Sequence, residues 1–247
     1  MQLTERDEAM VEWLSVVRMA DMDALRWALG GLSGAGSPVS LRKAQQWTAR
    51  LAEVGLVDRA RPTFRDGSIV WATHQAIGKT APNLFRQTTR HEVAVTAVSA
   101  RYLCRGYSWE RDRKPGMRNE HQTDGVAVRP DGRRELVEVE LTPKTIDRYR
   151  VIFENHTWRL AREGVDRIVY FCDTTTARIV NREADTRVFR DDRHRILALP
   201  VFDVRGKWVG DESGAWDGMP ESAPAEVPAQ LDGLVVGGPA TDGWGTR

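Results

Sequence analysis

Apolar residues recur at helical spacing in three segments of the first 80 residues. The first segment begins with Thr4 followed by Asp7, which is the spacing of a capping box. The second ends in two glycines, and the third begins with Ser40, a good helix cap. Two strand-like runs follow and flank the turn residues Asp66 and Gly67. The predicted helices are 3–17, 22–31 and 40–55, and the predicted strands are 56–62 and 68–75.

Basic and amide side chains concentrate on the outward face of the third helix and on the hairpin. They are Arg42, Lys43, Gln45, Gln46 and Arg50 on the helix, and Arg59, Arg61 and Arg65 on the hairpin. Three helices and a hairpin predict a winged helix-turn-helix domain over residues 1–80. In that fold the third helix enters the major groove and the wing contacts phosphates, which predicts double-stranded DNA as the partner. The alternative is a solvated helix whose charges bind nothing.

A second pattern of helices and strands occupies residues 90–208, after a linker over 81–89. A helix comes first, then three strands, then a long helix that ends at Gly164, then further apolar strands. The segments are 90–103, 106–112, 123–130, 133–141, 145–164, 166–172 and 195–204. The chain therefore predicts an α/β fold, α+β overall, with two domains.

Carboxylates gather on one face of the strand at 133–141. Because strand residues alternate between faces, Glu138 and Glu140 point the same way, and Asp124 begins the strand paired with theirs. Three carboxylates at one end of a sheet repel each other unless a cation lies between them. Mg²⁺ or Mn²⁺ is the natural occupant of an all-oxygen site. The alternative is a solvent-facing edge of the sheet, for which alternating glutamates are ordinary.

The order helix, three strands, helix, strand, with Asp124 on the second strand and Glu138 on the third, resembles the PD-(D/E)XK nuclease-like fold. This resemblance implies that Asp124, Glu138 and the backbone carbonyl of Val139 hold the metal. It also implies that Glu92 matches an acidic residue of the first helix. The expected core has the order αβββαβ, and the expected chemistry is metal-assisted hydrolysis of a phosphodiester.

The chain departs from that fold at one catalytic position. Glu140 stands where active members of the fold have lysine. Lys144, four residues further on, becomes the candidate for activating water or holding phosphate. His91 is a second candidate base, and the alternative for it is a partly buried structural histidine.

Three segments after the predicted winged helix, "HEVAV", "TDGVAV" and "LVEVELTPKTIDRYR", make the chain similar to the replication-relaxation family of plasmids and mobile elements. The likeness covers about residues 4–200. It implies a role in plasmid replication or in relaxing supercoiled plasmid DNA. Two functions stay open. One is a Mg²⁺-dependent DNA endonuclease or nickase; the other is a non-catalytic DNA-binding regulator or replication accessory whose degenerate nuclease-like domain serves homodimerisation.

Composition narrows the cellular setting. The start of the chain is acidic and its apolar runs are short, which argues against a signal peptide or a membrane span. Cys104 and Cys172 lack metal-site spacing and are expected to be reduced core thiols of a cytoplasmic protein. Residues 209–247 are rich in Gly, Pro and Ala and predominantly acidic, which predicts a disordered tail.

Overall fold

The computed structural model describes residues 2–62, 67–117, 120–214 and 216. The helices are α1 (Glu5–Val17), α2 (Met22–Gly31), α3 (Leu41–Glu53), α4 (His74–Ile77), α5 (Thr89–Cys104), α6 (Ile146–Arg162), α7 (Thr174–Arg187), α8 (Arg190–Arg193) and α9 (Gly210–Ser213). The strands are β1 (Ala20–Asp21), β2 (Val57–Ala60), β3 (Ile69–Ala72), β4 (Ser108–Glu110), β5 (Gly125–Val128), β6 (Arg134–Glu140), β7 (Val165–Asp173) and β8 (Ile196–Phe202). The protein is a mixed α/β structure, in agreement with the prediction at that level.

The amino-terminal helices pack on a small antiparallel sheet with the strand order β1-β3-β2. The capping box predicted for α1 is present, because Thr4 accepts from the backbone of Asp7 while the Asp7 carboxylate accepts from the backbone of Thr4. The apolar face of α1 is buried at Met10 and Leu14. The sequence did not predict β1, since two residues are too few to show a period.

The second sheet has the order β4-β5-β6-β7-β8, with antiparallel pairing up to β6 and parallel pairing from β6 to β8. Its two faces are both covered. Val137 and Val139 pack in the core on the α5 side, whereas Leu136 packs in the core with α6 and α7. The sequence analysis missed α7, whose first turn is capped by the Asp173 carboxylate. A first turn of three threonines shows no helical periodicity.

The two predicted domains share one hydrophobic core. A single cluster of buried residues runs from Met10 in α1 to Phe202 in β8. Helix α2 lies against the end of α5 so closely that a Cβ at Gly31 would stand 2.6 Å from the carbonyl carbon of Leu103. The segments before and after residue 80 therefore pack into the same hydrophobic core.

Arg101 of α5 reinforces this junction from inside. Its side chain is 1% exposed and its guanidinium lies between the rings of Trp27 and Trp208, 4.7 and 4.0 Å from their centroids. It also pairs with Asp23 at 3.0 Å and with Asp211 at 2.8 Å. One cation thus joins α2, α5 and the last described helix.

The predicted tail does not begin at residue 209. Residues Gly210–Ser213 form α9, and Trp216 is buried against Tyr102 and Phe171, with ring centroids 5.2 and 5.5 Å apart. Arg105 donates to the Trp216 carbonyl at 2.7 Å. The sequence analysis did not predict that Trp216 is buried, because the segment around it is rich in Gly and Pro. The remainder of the predicted tail, 217–247, lies outside the described residues.

Candidate functional site

Two of the three predicted metal-ligating groups converge where β5 begins and β6 ends. The Asp124 Oδ2 atom accepts from the Val139 N–H at 2.7 Å. The same Oδ2 lies 3.2 Å from the Nε2 atom of His91, which lies 3.0 Å from the Val139 carbonyl oxygen. Burial would lower the pKa of His91, but the hydrogen bond and charge of Asp124 raise it above its usual value. The Asp124 carboxylate and the Val139 carbonyl oxygen therefore both contact the same atom, His91 Nε2.

Neighbouring residues fix the position of Asp124. Gly125 is required beside it, because a Cβ there would lie 2.1 Å from the ring of Trp109. The preceding residue, Thr123, donates its N–H and its hydroxyl to Asp112, both at 2.8 Å. Asp112 in turn holds the buried guanidinium of Arg159 through both carboxylate oxygens, at 2.6 and 2.8 Å. Asp124 is thus placed by a buried ion pair between the end of β4 and α6.

Glu138 faces α6 and meets two histidines that the sequence analysis did not single out. Its Oε1 atom lies 2.5 Å from His121 Nε2 and 3.5 Å from His156 Nε2. His156 Nε2 also lies 2.7 Å from the Tyr170 hydroxyl. Burial raises the pKa of Glu138, although the charge and hydrogen bond of His121 act in the opposite direction. Burial lowers the pKa of His156 well below its usual value, so this imidazole is neutral near pH 7.

Glu140 and Lys144 form an ion pair at the end of β6. Burial lowers the pKa of Lys144, while the charges of Glu138 and Asp124 raise it. The ammonium thus belongs to the same electrostatic cluster as all three predicted carboxylates. Glu138 and Glu140 are only 3% and 5% exposed. The alternative of a solvent-facing acidic edge is therefore wrong.

An arginine-lined cleft of about 450 Å³ leads to Asp124. Glu92 and His91 of α5 line it, and Glu92 accepts from the Thr88 hydroxyl at 3.0 Å. The cationic side chains that line the cleft are Arg18, Arg86 and Arg111. They come from the end of α1, from the segment before α5 and from the segment after β4.

Arg18 adopts an uncommon backbone conformation at this cleft. It is the C-cap of α1 and has a φ of 76°, a left-handed value that side chains disfavour. Its guanidinium donates to the Thr80 carbonyl at 2.6 Å, and Arg111 donates to the Val16 carbonyl at 2.8 Å. These contacts hold both guanidinium groups at the wall of the cleft while leaving further N–H donors on each.

Among the described side chains that were predicted to contact DNA, all except Arg50 are exposed to solvent. Those exposed to solvent are Arg42, Lys43, Gln45 and Gln46 on α3, and Arg59 and Arg61 near β2. Arg50 instead binds the buried carboxylate of Asp7, with contacts of 3.0 and 2.5 Å. Its predicted place on the open face is corrected accordingly, because its long side chain reaches the buried Asp7 carboxylate of α1. Arg65 lies outside the described residues.

The histidine contacts could be predicted only in part from the sequence. His156 occupies the apolar stripe of α6, between Phe153 and Leu160, and a histidine in a buried stripe needs a polar partner. His121 lies in a segment without regular structure and carries no local signal. Their meeting at Glu138 depends on tertiary structure.

Comparisons with known proteins assign neither a family nor a function to this chain. Among the described helices, none has the length and apolar character needed to cross a membrane. No family model, no curated protein and no solved structure matches the chain.

Proposed function

We propose that this protein binds double-stranded DNA through α3 and hydrolyses a phosphodiester bond of that DNA at the Asp124 site, with Mg²⁺ or Mn²⁺ as cofactor. The observation that carries the proposal is the convergence of the Asp124 carboxylate and the Val139 carbonyl beside the Lys144 ammonium. The resemblance to the replication-relaxation family makes a plasmid or mobile element the proposed DNA.

The DNA-binding half of the proposal is supported by the amino-terminal architecture. Three helices with a sheet ordered β1-β3-β2 correspond to the element order of a winged helix-turn-helix. The outward face of α3 presents exposed donors, and the buried face of that helix packs through Trp47 and Leu51. Such a helix satisfies what major-groove and phosphate contacts require.

The catalytic half is supported by the second sheet and by what its residues offer an ion. Helix α5, strands β4 to β6, helix α6 and strand β7 follow the order of the nuclease-like fold. Asp124 and the Val139 carbonyl offer oxygen ligands, and the Glu138 Oε2 atom has no hydrogen-bond partner among the described residues. These three groups suit a hard divalent cation. Such an ion polarises a phosphoryl oxygen and lowers the pKa of water.

The other side chains have roles that follow from their positions. Lys144, with its pKa lowered by burial, is the residue placed to hold or move a proton near the carboxylates. The cleft that reaches Asp124 is lined by Arg18, Arg86 and Arg111. These side chains are suited to binding phosphate, because one guanidinium group can donate to two phosphate oxygens at once.

Incubation of the wild-type protein with supercoiled plasmid and Mg²⁺ tests the proposal. We expect conversion to open circles, which gel electrophoresis resolves. Asp124→Asn should abolish conversion but retain DNA affinity, because the residues proposed to bind DNA lie elsewhere. Asp131→Asn, in the exposed turn between β5 and β6, is the matched control and should nick at the wild-type rate. Equal nicking by Asp124→Asn would locate the activity elsewhere or in a contaminant.

Lys144 has its own test. We expect Lys144→Ala to slow nicking by roughly 10²- to 10⁴-fold if this lysine transfers a proton. Lys114→Ala removes an exposed lysine outside the cluster and should leave the rate unchanged. A wild-type rate for Lys144→Ala would move the proton-transfer role to another group, with His91 the next to test.

A non-catalytic DNA-binding accessory is the second candidate, and one observation favours it. The three carboxylates of the sheet already have a cationic or histidine partner: Asp124 has His91, Glu138 has His121, and Glu140 has Lys144. In that case the protein binds DNA as a regulator, with its second sheet serving homodimerisation. DNA binding without cleavage under Mg²⁺ or Mn²⁺, on a plasmid that carries its own origin, would support this candidate.

A further inference from the structure

The side chains of His121, Glu138 and His156 bring one ligand atom each within 4.8 Å of one another. They come from the segment before β5, from β6 and from α6. All three are largely withdrawn from solvent, with side-chain exposures of 9%, 4% and 0%. Two imidazoles and one carboxylate form a donor set that differs in kind from the all-oxygen set at Asp124.

We infer that these three residues bind a borderline divalent transition metal, such as Zn²⁺ or Co²⁺, at a nitrogen-rich site distinct from the Asp124 and Val139 oxygens. The inference does not rest on phosphodiester hydrolysis, although Glu138 belongs to both sites. Imidazole favours Zn²⁺ and its neighbours, whereas Mg²⁺ takes oxygen ligands, so the chemistry of the donors selects the class of ion.

Two of the three donor spacings are within about 1 Å of those around such an ion, and all three donor atoms lie within 4.8 Å of one another. Ligands about 2.0–2.1 Å from a tetrahedral Zn²⁺ lie about 3.3–3.4 Å from each other. The distance from Glu138 Oε1 to His156 Nε2 is 3.5 Å, and that from Oε1 to His121 Nε2 is 2.5 Å. His121, the most exposed of the three, needs to move outward by under about 1 Å to accommodate the ion.

One nitrogen of His156 has no hydrogen-bond partner among the described residues. This atom is Nδ1, and it is buried. This orphan is the second nitrogen of the ring and not Nε2, the atom that faces Glu138, so it marks an unmet hydrogen bond beside the cluster and not the ligand atom itself.

Tyr170 gives the cluster a fourth polar group. Its hydroxyl lies 2.7 Å from His156 Nε2, on the strand that neighbours Glu138. Nε2 cannot bind the ion and this hydroxyl at once, so the hydroxyl has to move aside when Nε2 ligates. The alternative to a metal site is a self-contained hydrogen-bond cluster in which His121 neutralises Glu138.

Cobalt titration of the full-length, chelator-treated protein separates these alternatives. We expect visible d–d absorption that saturates at one equivalent of Co²⁺, is removed by Zn²⁺ and persists in excess Mg²⁺. His121→Gln should weaken this binding by at least about tenfold, as the loss of one imidazole ligand requires. The exposed histidines provide matched controls, and His74→Gln and His194→Gln should bind Co²⁺ like the wild type.

Two further measurements keep the test independent of folding defects and of nicking. In the wild type, Zn²⁺ should shift the side-chain NMR signals of two of the five histidines and leave those of His74 and His194 in place. Asp124→Asn should lose any Mg²⁺-dependent nicking while retaining the Co²⁺ spectrum, so failure of the proposed hydrolysis leaves this inference standing. Absence of Co²⁺ absorption in the folded wild type, or an unchanged spectrum in His121→Gln, would overturn the metal site in favour of the hydrogen-bond cluster.

Discussion

The outward face of α3 and the carboxylate cluster of β6 are both rich in charge, but they use it differently. On α3, Arg42 and Lys43 are exposed and make no ion pair among the described residues. On β6, Glu138 and Glu140 are buried and each has a partner of opposite charge or a histidine. An exposed charge can bind a ligand with little effect on the free energy of unfolding. A buried charge contributes to that free energy through its partner, which a ligand would have to displace.

The largest effect expected from this contrast is on stability. Arg159→Met should lower the free energy of unfolding by about 3–5 kcal/mol, because it leaves the Asp112 carboxylate buried without its partner. Arg42→Met makes the same chemical change on the open face of α3 and should cost less than about 0.5 kcal/mol. Urea unfolding of the two variants measures both values. Similar losses would show that the two regions do not differ in how they hold charge.

Asp7 sharpens the comparison, because it is a buried acid whose partner, Arg50, lies on α3. Burial would raise the pKa of Asp7, but hydrogen bonds from Arg50, Thr4 and Trp47 lower it well below its usual value. Asp7→Asn should therefore cost about 2–3 kcal/mol at pH 7, since it removes hydrogen bonds to a charged group.

The pH dependence of that loss has a defined sign. A depressed pKa in the folded state stabilises the protein above the unfolded-state value of about 3.9, and this contribution disappears as the pH falls through the folded value. The stability gap between wild type and Asp7→Asn should then narrow below about pH 4 in urea unfolding series. A gap of constant size down to pH 2 would mean that packing, and not charge, is responsible.

The smallest expected effects concern DNA affinity at the exposed face. Removing Arg42 and Lys43 together should lower the slope of log affinity against log salt by about 2, and Arg61→Ala should lower it by about 1. Fluorescence anisotropy with labelled duplexes at several salt concentrations measures these slopes. Arg178→Ala, on the exposed side of α7, is the control and should leave the slope unchanged. Unchanged slopes in the α3 variants would remove that face from the DNA interface.

Local signals predicted most of the regular structure. The helix caps at Thr4 and Ser40 hold where they were expected, because capping depends only on residues within one turn. Helix α7 was missed because its threonine-rich start resembles a strand or loop, and Trp216 because the composition around it suggested disorder. Composition averages over a segment and cannot show one aromatic residue that anchors it.

The candidate site was harder to predict than the fold. Strand alternation correctly placed Glu138 and Glu140 on one face, since it needs only the period of a strand. It could not show that this face is buried, nor that His121 and His156 meet Glu138, because those contacts join segments far apart in the chain. Arg50 was misplaced for the same reason, since its partner Asp7 lies in another helix.

Under the proposed function, the packing of Arg101 between Trp27 and Trp208 has a consequence for where DNA would be cut. This cation ties α2 to α5 and the final helix, and one buried cluster contains residues of both α3 and β6, so α3 and the carboxylate site belong to one packed body. A duplex seated on α3 would present the same phosphodiester to Asp124 each time it bound. Cuts would then fall at a constant number of base pairs from the recognised sequence. Sequencing the nicked ends would measure that distance.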